Sequence, residues 1–237
     1  WFLLPVVSVQ SQAAEVNNGG GFISHGELKK KLAQIEKTSK GEVSVEVAGY
    51  SNHGREIYTA RVGHGDKVVF IESEIHGNEK VGTLALVNLL QQLGSNNSPE
   101  IRQLKEELTI VVMPMVNPDA TELFRRGNEM TWNEVIEQFP QLQNAMPSWN
   151  YYTYKNQYWD YQSNPGFDVN RDFNPDLDYV PSPEDFPGNS NLPGWYITPE
   201  SQTIRDVYKS LQSEFGTVDV FVDLHHQGEY VIEGTDD

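Results

Sequence analysis

The sequence predicts an α/β domain: a mixed, mostly parallel central sheet with helices on both faces. Three observations predict it. Apolar runs of strand length alternate along the chain with segments of helical period. Two of the runs, Val68-Val-Phe-Ile71 and Ile110-Val-Val-Met113, are apolar at consecutive positions, the pattern of strands buried on both faces. The 237 residues, 38% hydrophobic and 22% charged, suffice for one such domain with its own core.

The elements follow in order. Ser24-His-Gly-Glu27 is a capping box that opens a helix reaching Thr38. Val43 to Val47 and Glu56 to Val62 alternate about a turn at Asn52-His-Gly54, which predicts a hairpin. Lys67 to Ser73 is a buried strand, followed by a helix from Glu79 to Leu93 that Gly94 is expected to stop. Ser98-Pro99 has the cap-then-proline signature of the next helix, which leads into a strand from Thr109 to Met115. A short helix is expected at Thr131-Trp-Asn-Glu134, with loops from there to Ile197. Thr198-Pro-Glu200 opens an amphipathic helix with Ile204, Val207, Tyr208, Leu211 and Phe215 on one face, closed by Gly216. Val218 to Leu224 is the last apolar strand.

Composition excludes several classes of function. With 34 acidic against 17 basic residues, net −17, the surface suits neither nucleic acid nor an anionic membrane. The absence of cysteine removes disulfides, thiolate metal sites and a cysteine nucleophile, so any metal must be held by His and carboxylates. The apolar run Trp1 to Val9, with small residues after it at Ser11 to Ala14, reads as the remnant of a secretory signal peptide over residues 1–14. It is too short to span a bilayer, so no stable membrane insertion is expected. Residues 15–237 then form the domain, and the protein is expected to be secreted or periplasmic.

Candidate chemistry gathers where two buried strands end. His76 and Glu79 stand three apart after the strand ending at Ser73, a spacing that turns both side chains to one side. Asp223-Leu224-His225-His226 closes the last strand. Two histidines and a glutamate form a catalytic zinc set. Each fragment alone is common on solvated turns.

The order of the motifs between them is more specific. After His76-Gly-Asn-Glu79 come Asn117-Pro-Asp119, Arg126-Gly-Asn128, Gly166-Phe-Asp168-Val-Asn170-Arg171, Thr198-Pro-Glu200 and Asp223-Leu-His225. In that order, from Gly49 to Gly228, the chain resembles the zinc metallocarboxypeptidases of the carboxypeptidase A and B superfamily. The resemblance implies that His76, Glu79 and His225 hold one Zn²⁺ per chain, with donor atoms about 4 Å apart at most given zinc–ligand bonds of about 2.0–2.2 Å. It implies that Asp168 receives the outer ring N–H of His76, and that Asn170 and Arg171 grip a substrate's terminal carboxylate. Arg126 would stabilise the tetrahedral oxyanion, with neighbouring Arg125 the alternative. The implied activity is hydrolysis of the C-terminal peptide bond of peptides or proteins.

The family's general-base Glu and its last strands lie beyond the third ligand. The domain is therefore expected to be incomplete at its C-terminus, with C-terminal strands missing and this stretch inactive by itself. Glu229 and Glu233 are the nearest later carboxylates, and no motif marks either as the base. The aromatic-rich stretch between Asn128 and Gly166 is expected to pack a long loop against the body. Two other readings stand beside the carboxypeptidase: an N-acyl amino acid amidohydrolase of the aspartoacylase and succinylglutamate desuccinylase type, and a non-catalytic module that binds C-termini.

Overall fold

A computed structural model describes residues 22–152 and 165–226. The predicted signal remnant, Tyr154, Tyr158, Trp159 and Tyr161 of the aromatic stretch, and Glu229 and Glu233 lie outside the described residues. The Ser24 capping box forms as expected: Ser24 Oγ accepts from the Glu27 amide, and the Glu27 carboxylate accepts from the Ser24 amide at 2.8 Å. It starts helix α1, His25–Thr38, which buries Leu28, Leu32 and Ile35 at helical spacing. Strands β1, Val43–Tyr50, and β2, Glu56–Val62, form the expected hairpin, closed where the Ser51 amide donates to Arg55 O at 2.9 Å.

Strand β3, Lys67–Ser73, leads through a turn to helix α2, Val81–Ser95. Gly94 does not stop that helix. It sits inside the last turn, where a Cβ would lie 2.8 Å from a Val43 methyl, so the glycine serves close packing of α2 on β1 and Asn96 is the cap. Helix α3, Pro99–Glu107, starts at the Ser98 cap and runs into β4, Leu108–Met113. A helix absent from the sequence reading follows: α4, Pro118–Leu123, capped by the Asn117 side chain. Helix α5, Trp132–Gln138, carries a Thr131–Glu134 capping box. The two-residue strands β5, Tyr151–Tyr152, and β6, Gly166–Phe167, pair antiparallel. Helix α6, Pro199–Phe215, ends at Gly216 with φ +83°, and β7 is Val220–Leu224.

The main sheet has the order β1-β2-β4-β3-β7. The β1–β2 and β2–β4 pairs are antiparallel, and the β4–β3 and β3–β7 pairs parallel. It is a mixed sheet covered on both faces. Val43, Ala60, Val62, Ile110 and Val112 point to one face and pack with the apolar sides of α1 and α2. Ile57, Val68, Phe70, Val111 and Met113 point to the other and pack against Ile204 and Leu211 of α6. Each such buried side chain contributes about 1.5–3 kcal/mol. A third cluster joins Met130, Trp132, Val135, Phe167, Phe186 and Trp195, so Trp132 serves packing; Tyr151 packs against Phe167 with tilted rings and centroids 4.9 Å apart.

One buried acid gives stability a pH dependence. Glu200, in the first turn of α6, is fully buried and accepts from Asn128 Nδ2 at 2.9 Å. Burial, with Asp119 adding repulsion, pushes its carboxyl up to about 8. The folded chain therefore keeps a proton that the unfolded chain releases above about 4.5. Stability from this group is complete below about 4.5 and is lost as pH rises through about 8. Glu200→Gln cannot ionise and keeps an oxygen for Asn128. Its unfolding free energy in urea is expected to exceed the wild type's at pH 8 by on the order of a few kcal/mol at most, and to match it at about pH 4. Glu74, raised to about 7 by burial, leaves some dependence in the variant. Parallel profiles for the two proteins would mean that Glu200 is ionised throughout.

Candidate metal centre

The centre forms at the C-terminal ends of β3 and β7, where a parallel sheet places its sites. Beyond Ser73, Glu74 turns the chain at φ +61°, and His76 and Gly77 follow. Gly77 passes so close to α4 that a Cβ would lie 2.1 Å from the Ala120 carbonyl carbon, which explains the glycine beside His76. Asn117 fastens the loop: its Nδ2 donates to Ile75 O at 3.0 Å and its amide to Glu74 O at 3.2 Å. The Glu79 amide donates to His76 O at 3.0 Å. His76 and Glu79 are thus brought together by a tight turn ahead of α2, rather than by the helix turn expected from their spacing.

On the neighbouring strand, Leu224 stands opposite Ser73, which delivers His225 to the same end of the sheet. Glu79 bridges the two rings. Its Oε1 lies 2.8 Å from His76 Nδ1 and its Oε2 lies 2.7 Å from His225 Nδ1. The ring centroids are 5.0 Å apart. One ligand atom from each residue lies within 4.8 Å of the others. Tetrahedral zinc with bonds of about 2.0–2.2 Å sets its ligand atoms roughly 3.3–3.6 Å apart. His226 contributes only its backbone amide, 3.1 Å from Glu79 Oε2.

The outer nitrogens of both rings face aspartates: His76 Nε2 lies 3.0 Å from Asp168 Oδ1, and His225 Nε2 lies 2.8 Å from Asp223 Oδ2. An imidazole that donates from Nε2 presents a lone pair at Nδ1. A lone pair this close to a carboxylate oxygen is stable only with a proton or a metal cation between them. Two such nitrogens around one carboxylate match the His₂Glu donor set of catalytic zinc, so the residues fit a divalent cation.

The charges suit that occupant. Burial opposes ionisation of Glu79, but the hydrogen bond and charge of His76 outweigh it and hold the carboxyl at about 2. For Asp168 burial is again outweighed, by His76 and then Arg126, giving about 2. For His76 burial lowers the value, while Asp168 and Glu79 raise it further, for a net upward shift. His76 and Asp168 are buried, whereas His225 is exposed, so the centre opens to solvent on the β7 side.

Arg126 completes the inner wall. Its Nε and Nη2 lie 3.0 and 2.9 Å from Asp168 Oδ2, and its Nη1 lies 3.8 Å from Glu79 Oε1. Arg125 points elsewhere: it is buried and donates to the carbonyls of Gly127, Asn128 and Pro165. The left-handed turn at Phe124, φ +52°, ends α4 just before these two arginines. Asn170 and Arg171 lie on a single 3₁₀ turn capped by Asp168. Asn170 Nδ2 is 3.0 Å from His225 Nε2, while Arg171 is exposed at the rim and donates to Asn170 O.

The sequence motif names Asp223 without a role, and leaves Asp172 unmarked. Asp223 and His225 are two apart on an extended chain, and that period of two was the available signal. Asp172 is buried and accepts from the amides of Trp195, Ile197 and Thr198 and from the Thr198 and Ser201 hydroxyls, tying the Asn170–Arg171 turn to the start of α6. Nothing in the local pattern marks it, because its donors lie more than twenty residues away.

Comparison with known proteins gives a consistent answer. The family model described as zinc carboxypeptidase matches residues 28–236. Zinc carboxypeptidase A 1 of Drosophila melanogaster is 22% identical over 153 residues, covering 61% of this chain and 35% of that protein. The zinc carboxypeptidase of Simulium vittatum is 30% identical over 95 residues, covering 39% of this chain and 31% of its own. The crystal structure of carboxypeptidase A from Helicoverpa armigera superposes with a TM-score of 0.59 at 20% identity, over 87% of this chain and 46% of that one. The chain thus spans about a third of the length of these two curated relatives and about half of the solved structure.

Proposed function

The chain belongs to the zinc carboxypeptidase family, and from that premise we propose that it holds one Zn²⁺ on His76, Glu79 and His225 and hydrolyses the C-terminal peptide bond of peptides or proteins. One observation carries the reading: Glu79 draws together the inner nitrogens of two histidines whose outer nitrogens both face aspartates. The aspartoacylase-type alternative rests on three short motifs, His76-Gly-Asn-Glu79, Asn117-Pro-Asp-Ala120 and Asp223-Leu-His225, whereas the family match runs across 28–236.

When bound, the metal supplies a Lewis acid that polarises the scissile carbonyl and acidifies water. The chain's own residues do the rest. Asp168 fixes the His76 ring, and Arg126, anchored on Asp168, presents Nη1 toward the oxygen on which negative charge develops. Asn170 and Arg171 at the open rim take the substrate's terminal carboxylate, which an internal peptide bond lacks. A general base must still accept the proton of the attacking water. Among the described residues the carboxylates at the centre, Glu79, Asp168 and Asp223, are each taken by a histidine, so the reading puts the base elsewhere in the protein.

On the same reading residues 15–237 belong to the catalytic domain, residues 1–14 are a signal remnant, and the protein acts outside the cytoplasm. No helix among the described residues is long and apolar enough to cross a membrane.

The test uses protein expressed from the complete reading frame, assayed for metal content and for release of C-terminal residues. One equivalent of zinc and cleavage confined to free C-termini are expected. Arg171→Ala should raise KM by about 10–150-fold, the equivalent of about 1.5–3 kcal/mol for a lost charged hydrogen bond, with little change in kcat. Binding of C-termini without cleavage would instead make the protein a recognition module. Equal hydrolysis of C-terminally amidated peptides would remove the anchoring role of Arg171.

A further inference from the structure

Asp223 lies against the proposed ligand His225 as closely as Asp168 lies against His76, and its contribution to the centre goes beyond the roles given above. Its Oδ2 lies 2.8 Å from His225 Nε2, while His225 Nδ1 faces Glu79 Oε2 at 2.7 Å. His76 has the same neighbours, with Nδ1 toward Glu79 Oε1 and Nε2 hydrogen-bonded to Asp168 Oδ1, where Asp223 meets His225 at ion-pair distance. The centre is therefore a continuous row of side chains, Asp168, His76, Glu79, His225 and Asp223. Each imidazole in it is held between the shared glutamate in front and an aspartate behind.

Asp223 is well placed to hold a ring still. It lies within β7, in parallel register opposite Glu72 of β3, so it stands on a hydrogen-bonded strand rather than on a loop. Its Oδ1 is buried and has no hydrogen-bond partner among the described residues, which leaves the contact with His225 as the use of this carboxylate. His225 needs such support more than His76 does. It follows the end of β7 and is exposed, whereas His76 is buried. Asp223 is not a candidate fourth ligand, because it meets the ring at Nε2, the nitrogen remote from Glu79. Asn170 approaches the same Nε2 at 3.0 Å. Its amide, turned by 180°, would present oxygen to that hydrogen, an orientation the hydrogen-bond network decides.

Resting on the zinc reading, we propose that Asp223 is a positioning residue of the metal centre: it accepts the Nε2 hydrogen of His225 and so fixes the tautomer and ring orientation that turn Nδ1 toward the metal. Partners of this kind behind a ligating histidine typically account for about 10–100-fold in metal affinity.

The experiment compares zinc affinity of the wild type and Asp223→Asn, both from the complete reading frame, by competition with a chromophoric chelator. The variant is expected to bind zinc about 10–100-fold more weakly, and its cobalt-loaded form to show shifted d–d absorption bands. A merely structural aspartate would change thermal stability and leave the cobalt spectrum of the folded protein unmoved. Affinity within about twofold of wild type, with an unchanged spectrum, overturns the proposal. Should the variant not fold, nitrogen-15 spectra of the wild-type zinc protein decide the matter: the proposal requires the His225 hydrogen on Nε2, and a hydrogen on Nδ1 overturns it. A wild type that binds no zinc overturns the metal centre itself. Zinc bound equally by both proteins overturns only the role of Asp223.

Discussion

Replacement of Glu79 by alanine is expected to abolish stoichiometric zinc binding and to lower kcat/KM by on the order of 10³-fold or more. Among the described residues, Glu79 is the side chain that hydrogen-bonds to both histidines, through separate oxygens at 2.8 and 2.7 Å. Without it two imidazoles remain, each just beyond the end of a different strand, and the carboxylate that bridges them is gone. The catalytic contribution of a bound metal is several kcal/mol, and each 1.36 kcal/mol is tenfold in rate. His226→Ala provides the contrast. It leaves the backbone amide that reaches Glu79, so zinc content and turnover should stay close to wild type. Metal analysis by mass spectrometry beside a peptide assay checks both. A Glu79→Ala protein that retains one zinc, or a His226→Ala protein that loses it, would show that the ligand set is wrong.

Arg126→Ala is expected to lower kcat by about 10²–10³-fold, the size of effect seen when one oxyanion donor is removed. Because Arg126 also pairs with Asp168, some zinc affinity should be lost with it. Assays at saturating zinc separate the two roles. A residual deficit in kcat measures the oxyanion contribution, and full recovery at high zinc would mean that Arg126 acts only by holding Asp168. Arg125→Ala should behave differently. Its guanidinium is buried against the carbonyls of Gly127, Asn128 and Pro165, and removal takes a donor from each of them. The expected cost is about 1–3 kcal/mol per group that loses its donor, read as lost stability with kcat nearly unchanged in the protein that remains folded.

The larger elements were legible because burial writes a period into the chain. Continuous apolar runs marked β3 and β4, alternation marked the hairpin, and caps at Ser24, Ser98, Thr131 and Thr198 marked helix starts to within a residue. Misreadings occurred where a local signal had a distant cause. Gly94 reads as a helix stop, but its small size answers to Val43 on another strand. Helix α4 spans six residues, too few for a period to emerge, although Asn117-Pro118 is a cap-then-proline start. The choice between Arg125 and Arg126 was open because adjacent residues share one sequence context. A left-handed turn at Phe124 precedes them, and the fold buries one and turns the other toward the glutamate.

By itself, then, the sequence determined the order of elements, the donor types and the exclusion of cysteine chemistry. Those depend on residue identity and on spacings of two to four, which a linear chain carries. Only the tertiary structure decided which strand ends meet. The parallel pairing of β3 with β7 brings His225 to Glu79 across 146 residues and sets Asp223 behind it. It also gathers the three ligand atoms within 4.8 Å of one another, held by hydrogen bonds through Glu79. Such distances depend on how packed faces choose their partners, and that choice minimises exposed apolar surface and unpaired backbone over the whole domain at once.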